Sequence, residues 1–281
     1  MARPPHMILG VHCDVRQGYV NALRQAEALD CGAMQILTYR RHHVPTEDEF
    51  AAFRAAFAAS ALERLVLHVR YLPALASEDA ERRARSIELL ATELRYARAL
   101  GGNWLILHMG AYSPDANAAD GMQLFADGIC AALERAQGGV PLVLENVPGG
   151  GRRMGGSLEE LAALGERLAR RNTPLRFCLD TAHAWSYGYD LDTREGMWRF
   201  LGRAHRLFGA DNIPVFHLND SRAPHGSKLE NHRHWGEGFL GTEGMRALFQ
   251  RAEYRGATGI LEMPPGRDAE NLAYVRGLSG D

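Results

Sequence analysis

Histidine and carboxylate side chains stand at the ends of several short apolar runs in this sequence. Residues 177–190, FCLDTAHAWSYGYD, begin with strand-like alternation and then place Asp180 and His183 where such a strand would leave its core. Six of eight apolar runs end in this way, at His68, His108, Glu145, Asp180, His217 and Glu262. One such residue is commonly structural, but six would be costly to bury without partners. Metal ions would reverse the sign of that cost, which favours a metal site.

The residue types narrow the choice of metal. Imidazoles mixed with carboxylates, without thiolates, suit Zn²⁺ or Mn²⁺, and Fe²⁺ is also compatible. The candidate ligands outnumber the four that a tetrahedral zinc ion needs, so a cluster of two or three ions fits better. Two ions roughly 3.5–4 Å apart can stabilise both the attacking and the leaving oxygen of a phosphoryl transfer. Asp180 and His183 could serve neighbouring ions; alternatively, Asp180 caps the following turn and His183 packs beside it.

The elements that position these residues alternate between strand and helix. Longer amphipathic segments separate the apolar runs, and two of them begin with capping-box spacings, Thr46 with Glu49 and Ser157 with Glu160. Eight strand–helix units predict a single-domain (β/α)₈ TIM barrel over residues 1–281, with the active site at the C-terminal strand ends. A doubly wound sheet is the competing fold, but VHCDVRQG lacks its glycine-rich phosphate turn. The predicted strands are 7–12, 33–37, 64–69, 104–109, 141–147, 175–181, 214–220 and 259–264.

Composition bears on the partners and the location of the protein. Of 281 residues, 46% are apolar, and 34 acidic residues nearly balance 32 basic ones. Bulk charge therefore predicts neither a nucleic-acid nor a membrane partner, although it leaves room for a local basic patch. No apolar run approaches the roughly 18 residues of a membrane span, and the N-terminus lacks a signal-peptide pattern. Four scattered cysteines without a CxxC motif indicate reduced thiols and a cytoplasmic location, and we expect a monomer.

Several longer strings resemble the endonuclease IV family of apurinic/apyrimidinic (AP) endonucleases. CLDTAHAWSYGYDL resembles the family's sixth-strand motif, LVLENVPGGG its fifth-strand motif and HLNDS its seventh-strand motif. GSKLENHRHWGEG, residues 226–238, resembles the long loop after the seventh strand, and LEMP resembles the last strand motif. The resemblance covers nearly the whole chain. It implies a zinc-dependent phosphodiester hydrolase that cuts duplex DNA on the 5′ side of an abasic site, in base excision repair.

The resemblance also implies roles for individual residues. Glu145 would bridge two ions and would be the catalytic residue. In the long loop the family usually has Asp-x-His, whereas residues 230–232 of this chain read Glu-Asn-His. His234 or His225 could substitute there, although the spacing favours the Glu-x-His pair. Up to three zinc ions would be held, in turn, by His68, His108 and Glu145; by Glu145, Asp180, His217 and Glu262; and by His183, Glu230 and His232.

Recognition of a missing base requires side chains that fill the gap in the duplex. Tyr71, in HVRYLPALA, matches the position at which the family inserts a side chain. Arg40 and Arg41, after the second strand, are candidates for a second insertion. The alternatives are ordinary loop packing for Tyr71 and a solvated surface for the two arginines.

Two other functions remain open at this point. A divalent-metal sugar isomerase or epimerase of the same barrel type would share the strand-end pattern. Such isomerases commonly use a lysine or paired glutamates near the metals, and the only lysine here, Lys228, lies in the long loop. A non-catalytic binder of DNA damage is the second alternative, prompted by the glutamate at position 230.

Overall fold

Eight strands close into a parallel barrel within residues 6–280, the part of the chain that the computed structural model describes. Around the barrel their order is β1-β10-β7-β6-β5-β4-β3-β2, and β8 and β9 form a separate antiparallel pair. This confirms the predicted (β/α)₈ TIM barrel. The strands are β1 Ile8–His12, β2 Ala33–Leu37, β3 Arg64–His68, β4 Trp104–His108, β5 Leu142–Glu145, β6 Arg176–Asp180, β7 Val215–His217, β8 Asp220–Ser221, β9 His232–Arg233 and β10 Thr258–Leu261.

The helices surround the barrel and pack against its outer face. Two of them begin as predicted, because Thr46 with Glu49 and Ser157 with Glu160 form complete capping boxes. Gly101 ends the long third helix in the left-handed conformation that glycine adopts without strain. The helices are α1 Tyr19–Ala28, α2 Glu47–Ala59, α3 Ala80–Leu100, α4 Ala118–Ala136, α5 Leu158–Ala169, α6 Thr181–Tyr187, α7 Arg194–Phe208, α8 Glu243–Phe249 and α9 Asp268–Ser279.

The barrel interior is built in layers, because alternate residues of a strand point to the same side. One residue from each barrel strand contributes to a closed apolar cluster: Ile8, Ala33, Val66, Ile106, Val143, Cys178, Val215 and Ile260. In seven strands the residue two positions further on is polar: Gln35, His68, His108, Glu145, Asp180, His217 and Glu262. The alternation of side chains that fills the barrel interior therefore also places the polar residues at the C-terminal ends of the strands.

The segment 219–240, which includes the long loop after β7, contains the short pair β8 and β9. The buried carboxylate of Asp220 organises this segment by accepting hydrogen bonds from four backbone N–H groups, those of Ser221, Gly236, Gly238 and Leu240, at 2.8–3.2 Å. Gly238 is required there, since a Cβ atom would lie 2.2 Å from Asp220 Oδ1. The segment is thus a fixed structure rather than an open loop.

Two further predictions concern the state of the cysteines and the presence of membrane-spanning helices. All four cysteines are free, and Cys13, Cys31 and Cys178 are buried, as expected for reduced thiols. Across residues 6–280, no helix combines the length and the apolar character needed to cross a bilayer.

Candidate metal centre

The C-terminal ends of neighbouring strands bring six predicted ligands to one end of the barrel. Strand pairing places His108 beside Glu145 on β4 and β5, and Asp180 beside His217 on β6 and β7. The strands β3, β4, β5, β6 and β7 end at His68, His108, Glu145, Asp180 and His217, and Glu262 follows β10.

The first group of ligands consists of His68, His108 and Glu145. Glu145 Oε2 lies 2.8 Å from His108 Nε2 and 3.3 Å from His68 Nε2. His68 Nδ1 donates to the carbonyl oxygen of Val69 at 2.9 Å, so the lone pair of Nε2 points into the group. The ligand atoms of these three residues lie within 4.8 Å of one another, close enough to share one ion.

The second group uses the other oxygen of the same carboxylate. Glu145 Oε1 lies 2.9 Å from His217 Nδ1, which is also 3.0 Å from Glu262 Oε2 and 3.8 Å from Asp180 Oδ2. These four residues form a second set whose ligand atoms lie within 4.8 Å of one another. Glu145 is 0% exposed and presents one oxygen to each group, which is the geometry of a bridging ligand.

The third group contains His183 and His232, with Asp180 between them and the second group. Ligand atoms of Asp180, His183 and His232 lie within 4.8 Å of one another. Glu230 stands at the edge, with Oε1 3.8 Å from His183 Nε2 and a side chain that is 56% exposed. Asp180 also caps α6, since Oδ1 accepts from the N–H of His183 at 2.6 Å. The two interpretations of Asp180, as cap and as ligand, are therefore compatible.

Two unsatisfied nitrogen atoms indicate that this group fits a cation. The Nε2 atoms of His183 and His232 are buried and have no hydrogen-bond partner. Their Nδ1 atoms donate to the carbonyl oxygens of Asn146 and Glu262, at 2.9 and 3.1 Å. Each ring therefore leaves Nε2 as the nitrogen that can bind a cation, and buried polar atoms of this kind are costly unless they gain a partner.

The charges of the centre are strongly interdependent. Burial alone would raise the pKa of Glu145, but the imidazoles of His217 and His108 lower it well below its ordinary value. Burial would lower the pKa of His183, whereas Asp180 and Glu145 raise it well above its ordinary value. Glu145 thus remains ionised and attracts positive charge, which a divalent cation can supply in place of the imidazolium protons.

Three amide side chains that were not predicted from the sequence hold the ligands in place. Gln35 Oε1 accepts from His217 Nε2 at 2.9 Å, which leaves His217 Nδ1 free to face the carboxylates. Asn219 donates to Asp180 Oδ2 at 2.6 Å, and Asn146 accepts from the Asp180 N–H at 2.7 Å. The sequence contains a hint of all three. Gln35 is the only polar residue of the strand AMQIL, and the two asparagines lie one or two residues after a ligand, in LEN and HLND.

The metal ligands open into a cleft of about 380 Å³, which ligands of all three groups line. Tyr71 is 46% exposed beside this cleft, and Arg41 is exposed after β2. Arg40 is half-buried and forms an ion pair with Glu49 and a hydrogen bond with His43 at 2.6 Å. Of the two arginines, only Arg41 has a side chain that solvent reaches freely.

Comparison with known proteins decides the family. The family model described as a xylose isomerase-like TIM barrel, of the AP endonuclease 2 group, matches residues 23–278. A probable endonuclease 4 of Solibacter usitatus is 35% identical over 98% of this chain and 97% of its own length. The chain belongs to the endonuclease IV family. A second family member, a probable endonuclease 4 of Geobacter sulfurreducens, is 34% identical over 96% of this chain and 94% of its own length.

Solved structures agree with this membership. The crystal structure of endonuclease IV from Thermus thermophilus superposes with a TM-score of 0.84, at 32% identity and 98% coverage of both chains. A D-tagatose 3-epimerase-like protein also superposes, with a TM-score of 0.76 and 98% coverage of both chains, but at only 18% identity. The second likeness concerns the fold alone. The resemblance predicted from the sequence motifs is confirmed.

Proposed function

We propose that this protein is a zinc-dependent AP endonuclease that hydrolyses the phosphodiester bond 5′ of an abasic site in duplex DNA. The observation that carries the proposal is Glu145, whose two oxygens face two different groups of histidine and carboxylate ligands. Family membership supports the class of activity, since the relatives named above are probable endonucleases 4.

The donor set supports zinc as the metal. The first ion would be held by His68, His108 and Glu145, and Glu145 with Asp180, His217 and Glu262 would hold the second. His183, His232 and Glu230 would hold the third; the two buried Nε2 atoms support this site, and Glu230 can reach it from the exposed edge. Mixed imidazole and carboxylate ligands suit Zn²⁺, and Mn²⁺ or Fe²⁺ could occupy part of the cluster. When bound, such ions lower the pKa of water to about 7 and stabilise the charge of a phosphoryl group.

The protein's own residues hold this centre in one arrangement. Gln35 fixes the tautomer of His217, while Asn219 and Asn146 fix both ends of Asp180. Because the imidazoles of His217 and His108 hold the pKa of the buried Glu145 low, it stays ionised at neutral pH and can bridge two cations. The ligands are therefore oriented before DNA arrives, which limits the reorganisation required during the reaction.

Residues beyond β2 and β3 would contact the substrate, duplex DNA that lacks a base. Tyr71, which is exposed next to the cleft, would fill the gap left by the missing base. Arg41 would contribute a second contact, and Arg40 would have to leave its ion pair with Glu49 to do the same. We propose a cytoplasmic location, because the cysteines are free thiols. We also propose that the protein is a monomer.

A sugar isomerase or epimerase is the alternative, because barrels of that kind share the fold. Lys228 does not favour it: Nζ donates to the carbonyl oxygen of Tyr187 and lies 3.4 Å from the centroid of the Tyr187 ring. The side chain of this single lysine therefore contacts Tyr187 rather than the metal ligands.

Cleavage of a duplex oligonucleotide with one tetrahydrofuran abasic analogue tests the proposal. The zinc-loaded protein should cut this strand directly 5′ of the analogue and leave the undamaged duplex intact. Treatment with a chelator should abolish cutting, and added Zn²⁺ should restore it. Absence of cutting by protein shown to contain zinc would contradict the proposed function, and turnover of ketoses under the same conditions would favour the isomerase.

A further inference from the structure

Arg70 stands between the metal ligands and the exposed Tyr71. It lies two residues after His68, in the connection from β3 to α3, and it lines the metal cleft. It also borders a neighbouring cavity of about 130 Å³, whose walls include Tyr71 and Leu72. A DNA strand that reaches both the metal ligands and Tyr71 must therefore pass over this arginine.

The side chain of Arg70 is fixed in position by its neighbours. Nη1 donates to the carbonyl oxygen of Tyr39 at 3.0 Å, and the guanidinium carbon lies 5.7 Å from the Tyr39 ring centroid and 5.5 Å from that of Tyr71. The backbone N–H of Arg70 donates to Glu93 at 3.0 Å. Both ends of the residue are therefore held, so little side-chain entropy remains to be lost on binding a ligand.

Among the residues that the structure describes, the charge of Arg70 has no acidic partner. Within residues 6–280 its guanidinium forms no ion pair, and Nε is buried without a hydrogen-bond partner. Arg40, in the adjacent loop, differs because it is paired with Glu49. A partly buried guanidinium that keeps free N–H groups favours an anion, and its planar fork matches two oxygens of a phosphate.

We infer that Arg70 binds a backbone phosphate next to the scissile one in the damaged strand. This inference rests on the proposed function and adds a specific contact to it. The rings of Tyr39 and Tyr71 would hold the guanidinium of Arg70 at the place where this phosphate binds. The competing role for Arg70 is purely structural, as a cation packed between two tyrosines that keeps the Tyr71 loop in shape.

The salt dependence of DNA binding distinguishes these two roles. Loss of one phosphate contact reduces the slope of log K against log salt by about 0.9, whereas loss of loop packing changes affinity without changing that slope. The probe is a duplex nicked 5′ of a tetrahydrofuran residue, which is the product and cannot be cut again. Binding to the zinc-loaded full-length protein is measured by fluorescence anisotropy at several salt concentrations.

The variants are Arg70→Met and Arg70→Gln, with Arg176→Met as the matched control. Arg176 also donates to a backbone carbonyl, that of Asp211, but it begins β6 at the opposite end of the barrel. We expect both Arg70 variants to bind about 10- to 100-fold more weakly at low salt and to show a slope smaller by about 1. The control should match the wild type in both quantities.

The outcomes separate this inference from the proposed function. If the wild type cuts abasic DNA but the Arg70 variants keep the wild-type slope, Arg70 is only structural and the inference is wrong. Arg70→Gln keeps a donor for the Tyr39 carbonyl, so it decides the matter if Arg70→Met fails to fold. A wild type that neither binds nor cuts this DNA would overturn the proposed function and, with it, this contact.

Discussion

At the scale of single residues, the centre depends on carboxylates whose two oxygens do different work. Glu145 directs Oε2 to His68 and His108 and Oε1 to His217. Asp180 uses Oδ1 to cap α6 and Oδ2 to face the second and third groups. Because each oxygen has its own task, an amide at either position would supply one acceptor where two are needed.

Glu145→Gln should therefore retain the fold and lose most of the activity. We expect cleavage of the tetrahydrofuran duplex to fall by more than about 100-fold, since even groups that only support a metal ligand account for 10- to 100-fold. Steady-state kinetics and circular dichroism measure the two effects. Glu134→Gln, an exposed position on α4, is the control. Near wild-type turnover by a metal-replete Glu145→Gln protein would contradict the role of this residue.

Glu230 tests the third group, because it is the least buried of the predicted ligands. Glu230→Gln should lower the zinc content by about one ion per chain, as measured by inductively coupled plasma mass spectrometry. Glu230→Asp, which restores the residue usual in the family, should keep the wild-type content. Equal zinc contents in the wild type and the glutamine variant would show that Glu230 is not a ligand.

At the scale of elements, strand ends fix the ligands, whereas the loops beyond them depend on one buried acid. Glu93, on α3, is 0% exposed and accepts hydrogen bonds from the Thr38 hydroxyl and the Arg70 N–H. It thereby joins the loop after β2 to the loop after β3, the two loops that carry the predicted DNA contacts. Burial, the largest influence, raises the pKa of Glu93 from 4.5 to about 7 despite these hydrogen bonds.

This raised pKa predicts a pH dependence of stability. The folded protein holds the proton more tightly than the unfolded chain, so the stabilisation is complete below pH 4.5 and is lost as the pH rises through about 7. The shift corresponds to about 3 kcal/mol. The free energy of unfolding of the wild type should fall by this amount, relative to Glu93→Gln, between these pH values. Urea denaturation of both chelated proteins measures it, and parallel pH profiles would contradict the assignment.

The sequence predicted those parts of the site that depend on local pattern. Each strand-end ligand follows an apolar run. The alternation of side chains along one strand is therefore enough to predict the position of His108 or Glu145, without knowing which strands pair with it. Glu93 could not be found in this way, because it lies 55 residues from Thr38 and within an ordinary helical pattern. Gln35 and His217 are 182 residues apart, and only closure of the barrel brings them together.

At the scale of the whole molecule, the barrel interior carries its buried carboxylates and imidazoles at one end. The interior changes from a closed apolar layer to buried carboxylates and imidazoles within two residues of each strand. The apolar layer closes the interior below the ligands, and bound cations would stabilise the polar layer above.

Removal of metal should therefore lower the melting temperature of the folded protein. A ligand at about 100 times its dissociation constant adds about 2.7 kcal/mol of stability, which corresponds to about 5 °C for a chain of this size. Differential scanning calorimetry with and without chelator measures the change, and added Zn²⁺ should reverse it. Identical melting temperatures would indicate that no cation is bound by the native protein.

The central claim, that these ligands surround adjacent cations, is tested most directly by anomalous diffraction at the zinc edge from crystals grown with Zn²⁺. The account predicts three neighbouring peaks, with one beside His68 and His108, one beside His217 and Glu262, and one beside His183 and His232. A single peak, or none among these side chains, would contradict it.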